Sequence, residues 1–397
     1  MKFINNVDED KFNDFVKQNS SSFMQTSYFG KINQAKGLKY FLVGLEDNGK
    51  LVATAMILEK HLISNYNYLY IPRGFIANFN DFNLLKTFTD YLKDFGKKKK
   101  AIFIAIDPEI ILSIDDNKFN QDLIANFKKL NFNHLGFNYY FENRQPRYTY
   151  CLDLKENLSD NFHSTTKKIY NRGNIYNIKI VKGDINDISS FHNLMLETGN
   201  RNQAVFFSQD YYQNFYQIFH EQNMSDLYLA KVNIPNLISI YENKIKEIKM
   251  NLAKIKKESK KNDLNEQLLK YQKELTEIKE IKEEEVILSS IITVKFNDKV
   301  WTVHGGNSNK LRFLNANYWL YFKIIDDAFN DGYKKIDFFG TIGKEDKNNH
   351  EYGIHLFKKR LGGNKIEYIG EFDLVLNKLI YFLYKKVYNK IRYRKKS

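Results

Sequence analysis

The sequence predicts a mixed α/β protein made of two similar units, with an antiparallel helical arm inserted into the second. Three observations carry that expectation. The same order of strands, turn, strand and helix runs twice along the 397 residues. A stretch dominated by Lys, Glu, Ile and Leu, free of Gly and Pro from Ile240 to Glu285, interrupts the second copy. Short apolar runs follow the helix-like segment in both copies, as buried strands do.

In the first copy, YFLVGLEDNGKLVATAMILEK (40–60) reads as two strands around a polar turn and NYNYLYIPRGF (65–75) as a further strand. The spacing in NLLKTFTDYLKDFG (83–96) predicts a helix closing at Gly96, and KKKKAIFIAIDP (97–108) a basic lead into a buried strand that ends at Asp107. In the second copy the counterparts are DLYLAKV (226–232), EVILSSIITVKFNDKVWTVHGGN (285–307), NYWLYFKIIDDAFNDG (317–332) with Gly332 as its stop, and YKKIDFFG (333–340) carrying Asp337. The copies agree in pattern and not in identity, which is how diverged repeats read.

Within the arm, Ile245, Ile248, Leu252 and Ile255, then Leu264, Leu268, Tyr271, Leu275 and Ile278, follow heptad steps of three and four. Between these seams KKESKKND is wholly polar, which predicts a reversal near Ser259 to Asp263 and a hairpin that buries its seam within one chain. The expected organisation is therefore a first unit over 1–147, a second over 148–238 with 287–397, and an arm over 239–286.

Apolar residues make up 43% of the chain, with 32 Phe and 27 Tyr, enough for a substantial core and against global disorder. A lone Cys151 excludes an internal disulfide and fits a reducing compartment. Lys and Arg exceed Asp and Glu by 14, favouring polyanionic partners. MKFINNVDED lacks the apolar region of a secretory signal, and no apolar run reaches the length of a membrane span, so a cytoplasmic protein is expected. From Leu376 onward, apolar residues at helical spacing and a run of Lys and Arg suit an anionic lipid surface or packing on the protein's own core.

The familiar catalytic patterns fail on spacing. His350, Glu351 and His355 place their histidines five apart with Gly353 between them, so they do not meet a metal as HExxH does. GTIGK (340–344) is too short for a phosphate loop, and nothing like GxSxG frames a serine. Neither a metal nor a cofactor is expected.

Eight segments taken together resemble the FemABX family of peptidoglycan bridge-forming aminoacyltransferases. They are FMQTSYFGK (23–31), YIPRGF (70–75), AIDP (105–108), TTKKIYNRGNI (165–175), ETGNR (197–201), DFFGTIG (337–343), GIHLFKKRLGG (353–363) and EYIGEFDL (367–374). The resemblance spans essentially the whole chain in the family's order. It implies two GNAT-like acyltransferase units with a coiled-coil arm inserted in the second. It also implies transfer of an amino acid from aminoacyl-tRNA to the third-position amine of the precursor stem peptide, on lipid II ahead of UDP-MurNAc-pentapeptide. The basic tail adds peripheral contact with the inner membrane face as an expectation, and a related Fem-type partner completes the expected partners.

By the same resemblance, Lys358 is the lysine that stabilises transition-state charge and Phe357 the ring that braces the reacting end. Asp107 falls at the acidic position near the acceptor amine. Lys31 and Arg201 match basic residues that contact the precursor's phosphates, and Arg73 and Gly74 sit in a substrate-binding loop. After Arg201 the chain reads NQAVFF where relatives often present a tyrosine, which leaves open whether Tyr211 or Tyr212 substitutes. His304 and two glycines stand where others have an aromatic, and no role is assigned to them. A non-catalytic RNA-binding scaffold and an acetyl-CoA-dependent GNAT acetyltransferase are the rival readings.

Overall fold

The computed structural model describes residues 1–20, 22–63, 65–138, 144–202 and 206–394. Within NQAVFF, 203–205 lie outside the described residues, as do Lys395 and Lys396 and the side chains of Lys390, Arg392 and Arg394. The chain forms two compact units, Met1–Asp153 with Val294–Trp301 and Tyr333–Ser397, and Leu154–Thr293 with Thr302–Gly332.

The first unit carries an eight-stranded sheet in the order Lys2–Ile4, Lys39–Asp47, Lys50–Ile63, Tyr66–Ile71, Ala101–Ile106, Phe372–Val375 and Phe132–His134, with Ile76–Ala77 paired beside Lys50–Ile63. Asn48 and Gly49, at φ of +49° and +78°, close the hairpin between Lys39–Asp47 and Lys50–Ile63, as a two-residue primed turn requires. Ala101–Ile106 is buried at every position and runs parallel to Tyr66–Ile71 and antiparallel to Phe372–Val375, which explains its unbroken apolar run. Asp107 follows directly, so the chain leaves the centre of this sheet at the candidate acid.

Helix Phe82–Lys98 starts on Asp81, whose carboxylate accepts from the Leu84 amide at 2.9 Å, and buries Leu84, Leu85, Phe88, Leu92 and Phe95 on one face. It runs past the predicted stop at Gly96. That glycine is needed for packing instead, since a Cβ there would stand 2.5 Å from Leu376 Cδ1.

The same unit holds a second ladder. Tyr148–Asp153 pairs antiparallel with Lys335–Thr341 on one side and Asn364–Tyr368 on the other, and Ile111–Ile114 and Asn117–Lys118 follow beyond Asn364–Tyr368. Lys335–Thr341 also runs parallel to the start of Lys299–Asn307, with Trp301 opposite Asp337. Residues 107–110 thus carry the chain from the first sheet into the second, with the candidate acid Asp107 at the start of that passage.

In the second unit Lys179–Gly183 pairs with Ser225–Asn233, followed in order by strand Glu285–Phe296 as far as Thr293 and strand Lys299–Asn307 from Thr302. Helix Ala316–Asn330 ends as expected: Asp331 caps it and Gly332 takes φ +84°. The arm is a pair of helices, Ile234–Lys254 and Glu258–Lys279, held antiparallel by Tyr241 Oη donating to Glu274 Oε2 at 2.9 Å and Lys279 Nζ to Glu242 Oε1 at 2.7 Å. The reversal falls at Ile255–Lys257 and not at Ser259 to Asp263. Ile255 is extended, and the second helix opens on Glu258, whose charge suits a helix N-terminus.

Candidate active site

The loop after strand Tyr66–Ile71 is built around Asp107. Its carboxylate is buried and accepts from Tyr70 Oη at 2.7 Å and from the Arg73 amide at 2.7 Å. Arg73 takes φ +53°, which turns its amide toward that carboxylate. Its guanidinium lies 4.4 Å from the Tyr368 ring centroid and donates to the Pro146 carbonyl at 2.5 Å. Gly74 faces buried Gln25, and no side chain fits between them, because a Cβ would come within 2.4 Å of the Gln25 carboxamide carbon. Burial raises the Asp107 pKa above the usual carboxylate value, while Arg73 and Tyr70 act in the opposite direction. A carboxyl so placed accepts a proton more readily than an exposed aspartate.

Lys358 lies on helix Tyr352–Arg360, in the last turn before the glycines at 362 and 363. Of the Phe357-Lys358 pair it is the lysine that is buried, 5% exposed, with the phenylalanine only half-buried. Its Nζ donates to the Gly340 carbonyl at 2.6 Å. Burial pulls its pKa down to about 8, with Asp337 and Glu351 opposing the drop. Holding the ammonium there therefore costs free energy, and it gives up its proton near pH 8, below the ordinary lysine range.

Further buried charges connect these two places within the unit. Lys299 Nζ pairs with Glu109 Oε1 at 2.9 Å and lies 4.8 Å from the Trp301 ring centroid. Burial opposes the Lys299 charge, but Glu109, Tyr368 and Asp337 outweigh it and raise its pKa. Burial likewise raises Glu109, and Lys299 with Arg73 more than reverses that. Asp337 is buried, accepts from the Phe339 amide at 2.7 Å, and is raised by burial against the pull of Lys299. Asp107, Arg73, Glu109, Lys299, Asp337 and Lys358 thus form an alternating series of buried charges. Such a series fixes dipoles where water is excluded, which is how a protein stabilises charge developing during acyl transfer.

The remaining predicted residues lie elsewhere. Lys31, on helix Ser27–Ala35, is 41% exposed and pairs with Glu9. Arg201 belongs to the second unit, at the end of helix Ile188–Asn202, and donates to Thr198 Oγ1 at 3.3 Å and to Asn309 Oδ1 and the Asn307 carbonyl. In that unit His304 is ringed by Tyr212, Phe215, Tyr211 and Phe207, with centroids 4.9 to 6.0 Å away. Gly306 lets this strand meet the helix bearing Arg201, as a Cβ would stand 2.7 Å from the Leu194 and Met195 backbone.

Sequence reasoning passed over Lys299, Glu109, Tyr70 and Tyr368, and noted Asp337 without a role. Glu109 stands two residues from Asp107, Tyr70 opens the quoted YIPRGF, and Tyr368 lies in the quoted EYIGEFDL, so a signal existed for each. Lys299 had none: FNDKVW reads as an exposed turn, and only the fold buries it.

The lipid II:glycine glycyltransferase of Staphylococcus epidermidis RP62A is 26% identical over 399 residues, covering 96% of this chain and 95% of that protein. The enzyme of the same name from Staphylococcus aureus MRSA252 is 26% identical over 397 residues, covering 94% and 93%. The crystal structure of FemX superposes with a TM-score of 0.78 at 25% identity, covering 96% of this chain and 99% of that one. A tandem GNAT protein from the clavulanic acid biosynthesis pathway, 6% identical with a TM-score of 0.51 over 94% and 98% of the two chains, shares the fold alone: two GNAT-like units. Residues 7–389 match the FemAB family, so this chain belongs to that family and is an aminoacyltransferase.

Proposed function

We propose that this aminoacyltransferase passes an amino acid from aminoacyl-tRNA to the third-position amine of the peptidoglycan stem peptide, building the interpeptide bridge, with lipid II ahead of UDP-MurNAc-pentapeptide as acceptor. The observation that carries the reading is Lys358: a buried lysine on the Gly340 carbonyl, in the same unit as buried Asp107, with Glu109, Lys299 and Asp337 between them in the electrostatic series. The names of the glycyltransferase relatives support the acceptor.

In this mechanism the acceptor amine must be neutral to attack the ester carbonyl. Asp107, whose affinity for protons burial has raised, takes or orients the amine's proton. A C–N bond forms, negative charge grows on the carbonyl oxygen, and Lys358 as ammonium stabilises that charge while Phe357 braces the reacting end. The carbonyl then re-forms as the ester C–O bond breaks, and the tRNA ribose oxygen leaves with the proton that the attacking amine has given up. Lys31 and Arg201 bind precursor phosphates. The Arg73 guanidinium is engaged within the protein, so Arg73 and Gly74 contribute by shaping the loop that presents Asp107.

The repeats in this reading are 1–147 and 148–238 with 287–397, the arm is 239–286, and the protein works at the cytoplasmic face of the membrane, alone or with a Fem-type partner. The test is transfer of labelled amino acid from charged tRNA to purified lipid II and to the UDP-linked precursor. Product on lipid II supports the proposal. No product on either precursor with any aminoacyl-tRNA overturns it.

A further inference from the structure

Helix Lys378–Arg394 has two unlike faces. Inward, Ile380, Tyr381 and Tyr384 pack against the core that includes Ile102, Phe103 and Ala105. That face is also pinned by charge. Asp373, fully buried on strand Phe372–Val375, accepts from Tyr381 Oη at 2.7 Å and from Arg144 Nη2 at 2.8 Å, and pairs with Lys385 Nζ at 3.2 Å. The helix cannot roll without breaking these bonds, so its outer face is set by the fold. Outward it shows Leu379, Phe382 and Leu383, which are 71%, 64% and 52% exposed at positions i, i+3 and i+4.

A stripe of large apolar side chains held outward on an anchored helix marks a contact surface. Its charge identifies the partner. Lys378 and Lys386 are exposed on the same helix, Lys386 one turn beyond Phe382 and Leu383. From Val375 to Ser397 the sequence has eight Lys and Arg and no Asp or Glu. Apolar residues that enter the acyl boundary, flanked by lysines at headgroup level, match an anionic bilayer. A protein partner would more often be met by charges of both signs.

We infer that Leu379, Phe382 and Leu383, with Lys378 and Lys386, form a docking surface for an anionic lipid bilayer. This deepens the proposed function, on which it rests for its biological setting, since a lipid-linked acceptor lies at such a surface. Its assay reads binding without turnover, so the two stand or fall separately.

The experiment is co-sedimentation of the full chain with phosphatidylglycerol vesicles and with phosphatidylcholine vesicles at rising salt. The chain should pellet with the first and much less with the second, and salt should release it. Leu379→Gln/Phe382→Gln/Leu383→Gln should weaken binding by at least about tenfold. Lys378→Gln/Lys386→Gln should weaken it about thirtyfold at low salt. Both variants should transfer amino acid to detergent-dispersed precursor at the wild-type rate.

Should the triple variant misfold, Phe382→Trp with brominated lipid gives a second reading. Its fluorescence should be quenched by brominated phosphatidylglycerol vesicles beyond the quenching of the wild-type tryptophans. Absence of binding to anionic vesicles, variants that bind as well as wild type, or no added quenching would each overturn the inference. So would a dimer that the apolar variant dissociates while vesicle binding stays intact, which would assign the stripe to a second copy of the chain.

Discussion

Lys299 and Glu109 form an ion pair in the interior of the first unit, Nζ to Oε1 2.9 Å, with side chains only 10% and 14% exposed. A pair this deep is a poor source of stability, because removing both charges from water costs about what their attraction returns. Breaking it is another matter. Lys299→Met takes away the direct ion-pair partner of buried Glu109, leaving it only weaker support such as the pull of Arg73, and should cost about 3–5 kcal/mol in urea unfolding. The double variant Lys299→Met/Glu109→Leu should recover most of that loss while activity stays low. Equal stability of the single variant and wild type would show that the pair is not isolated from water.

Lys358→Ala removes the buried ammonium on the Gly340 carbonyl. If that charge faces the developing oxyanion, turnover should fall by about a hundredfold or more with little change in the KM for precursor. Full turnover in Lys358→Ala would remove the lysine from the mechanism.

The same lysine sets a pH dependence whose sign follows from its lowered pKa of about 8. Between that value and the ordinary lysine value the unfolded chain holds a proton that the folded chain has released, so stability rises with pH across this window. The cost of burying the ammonium is present in full below it. Activity runs the other way: as the ammonium is lost, the maximal rate should fall with an apparent midpoint near 8. Lys358→Arg, which stays charged, should abolish that basic limb even where its overall rate is lower. Rate–pH profiles of the two proteins are the measurement.

Lys31 is 41% exposed and paired with Glu9 at the surface, so it contributes little to folding. Lys31→Ala should shift stability by less than about 1 kcal/mol. Its effect should appear in precursor KM, with kcat nearly unchanged and a weaker dependence of KM on salt. A drop in kcat at constant KM would place Lys31 in the chemistry instead of in phosphate binding.

The fold could be read from pattern wherever one force decided the outcome. The Asn48-Gly49 hairpin, the buried run Ala101–Ile106 and the stop at Gly332 each follow from local backbone chemistry. Gly96 deceived because a helix tolerates a glycine when another side chain, here Leu376, needs its space. The arm's reversal was displaced because a polar stretch marks where a seam is absent, not which residue turns. Among the candidate site residues, Asp107 and Lys358 could be singled out from their motifs, but the pair Lys299–Glu109 could not. Nothing in a sequence says that a turn lysine will be buried until the segment carrying it is packed beside another.

Gly74 offers a test of the loop that presents Asp107. An alanine Cβ there would lie 2.4 to 2.7 Å from three atoms of the Gln25 carboxamide, too close for any real contact. Gln25 has little freedom to retreat, since its Nε2 donates to the Pro72 carbonyl at 2.6 Å and its Oε1 accepts from the Met56 amide at 3.0 Å. Gly74→Ala should therefore cost about 1–3 kcal/mol. It should also lower turnover, because the neighbouring Arg73 amide is a donor to Asp107. Gln25→Ala on its own should destabilise through the lost bonds, but combined with Gly74→Ala it opens room for the new methyl group. The double-mutant cycle should then show favourable coupling of about 1 kcal/mol or more. Additive losses would mean that the loop, and not Gln25, yields to the methyl group, and that Asp107 is not rigidly presented.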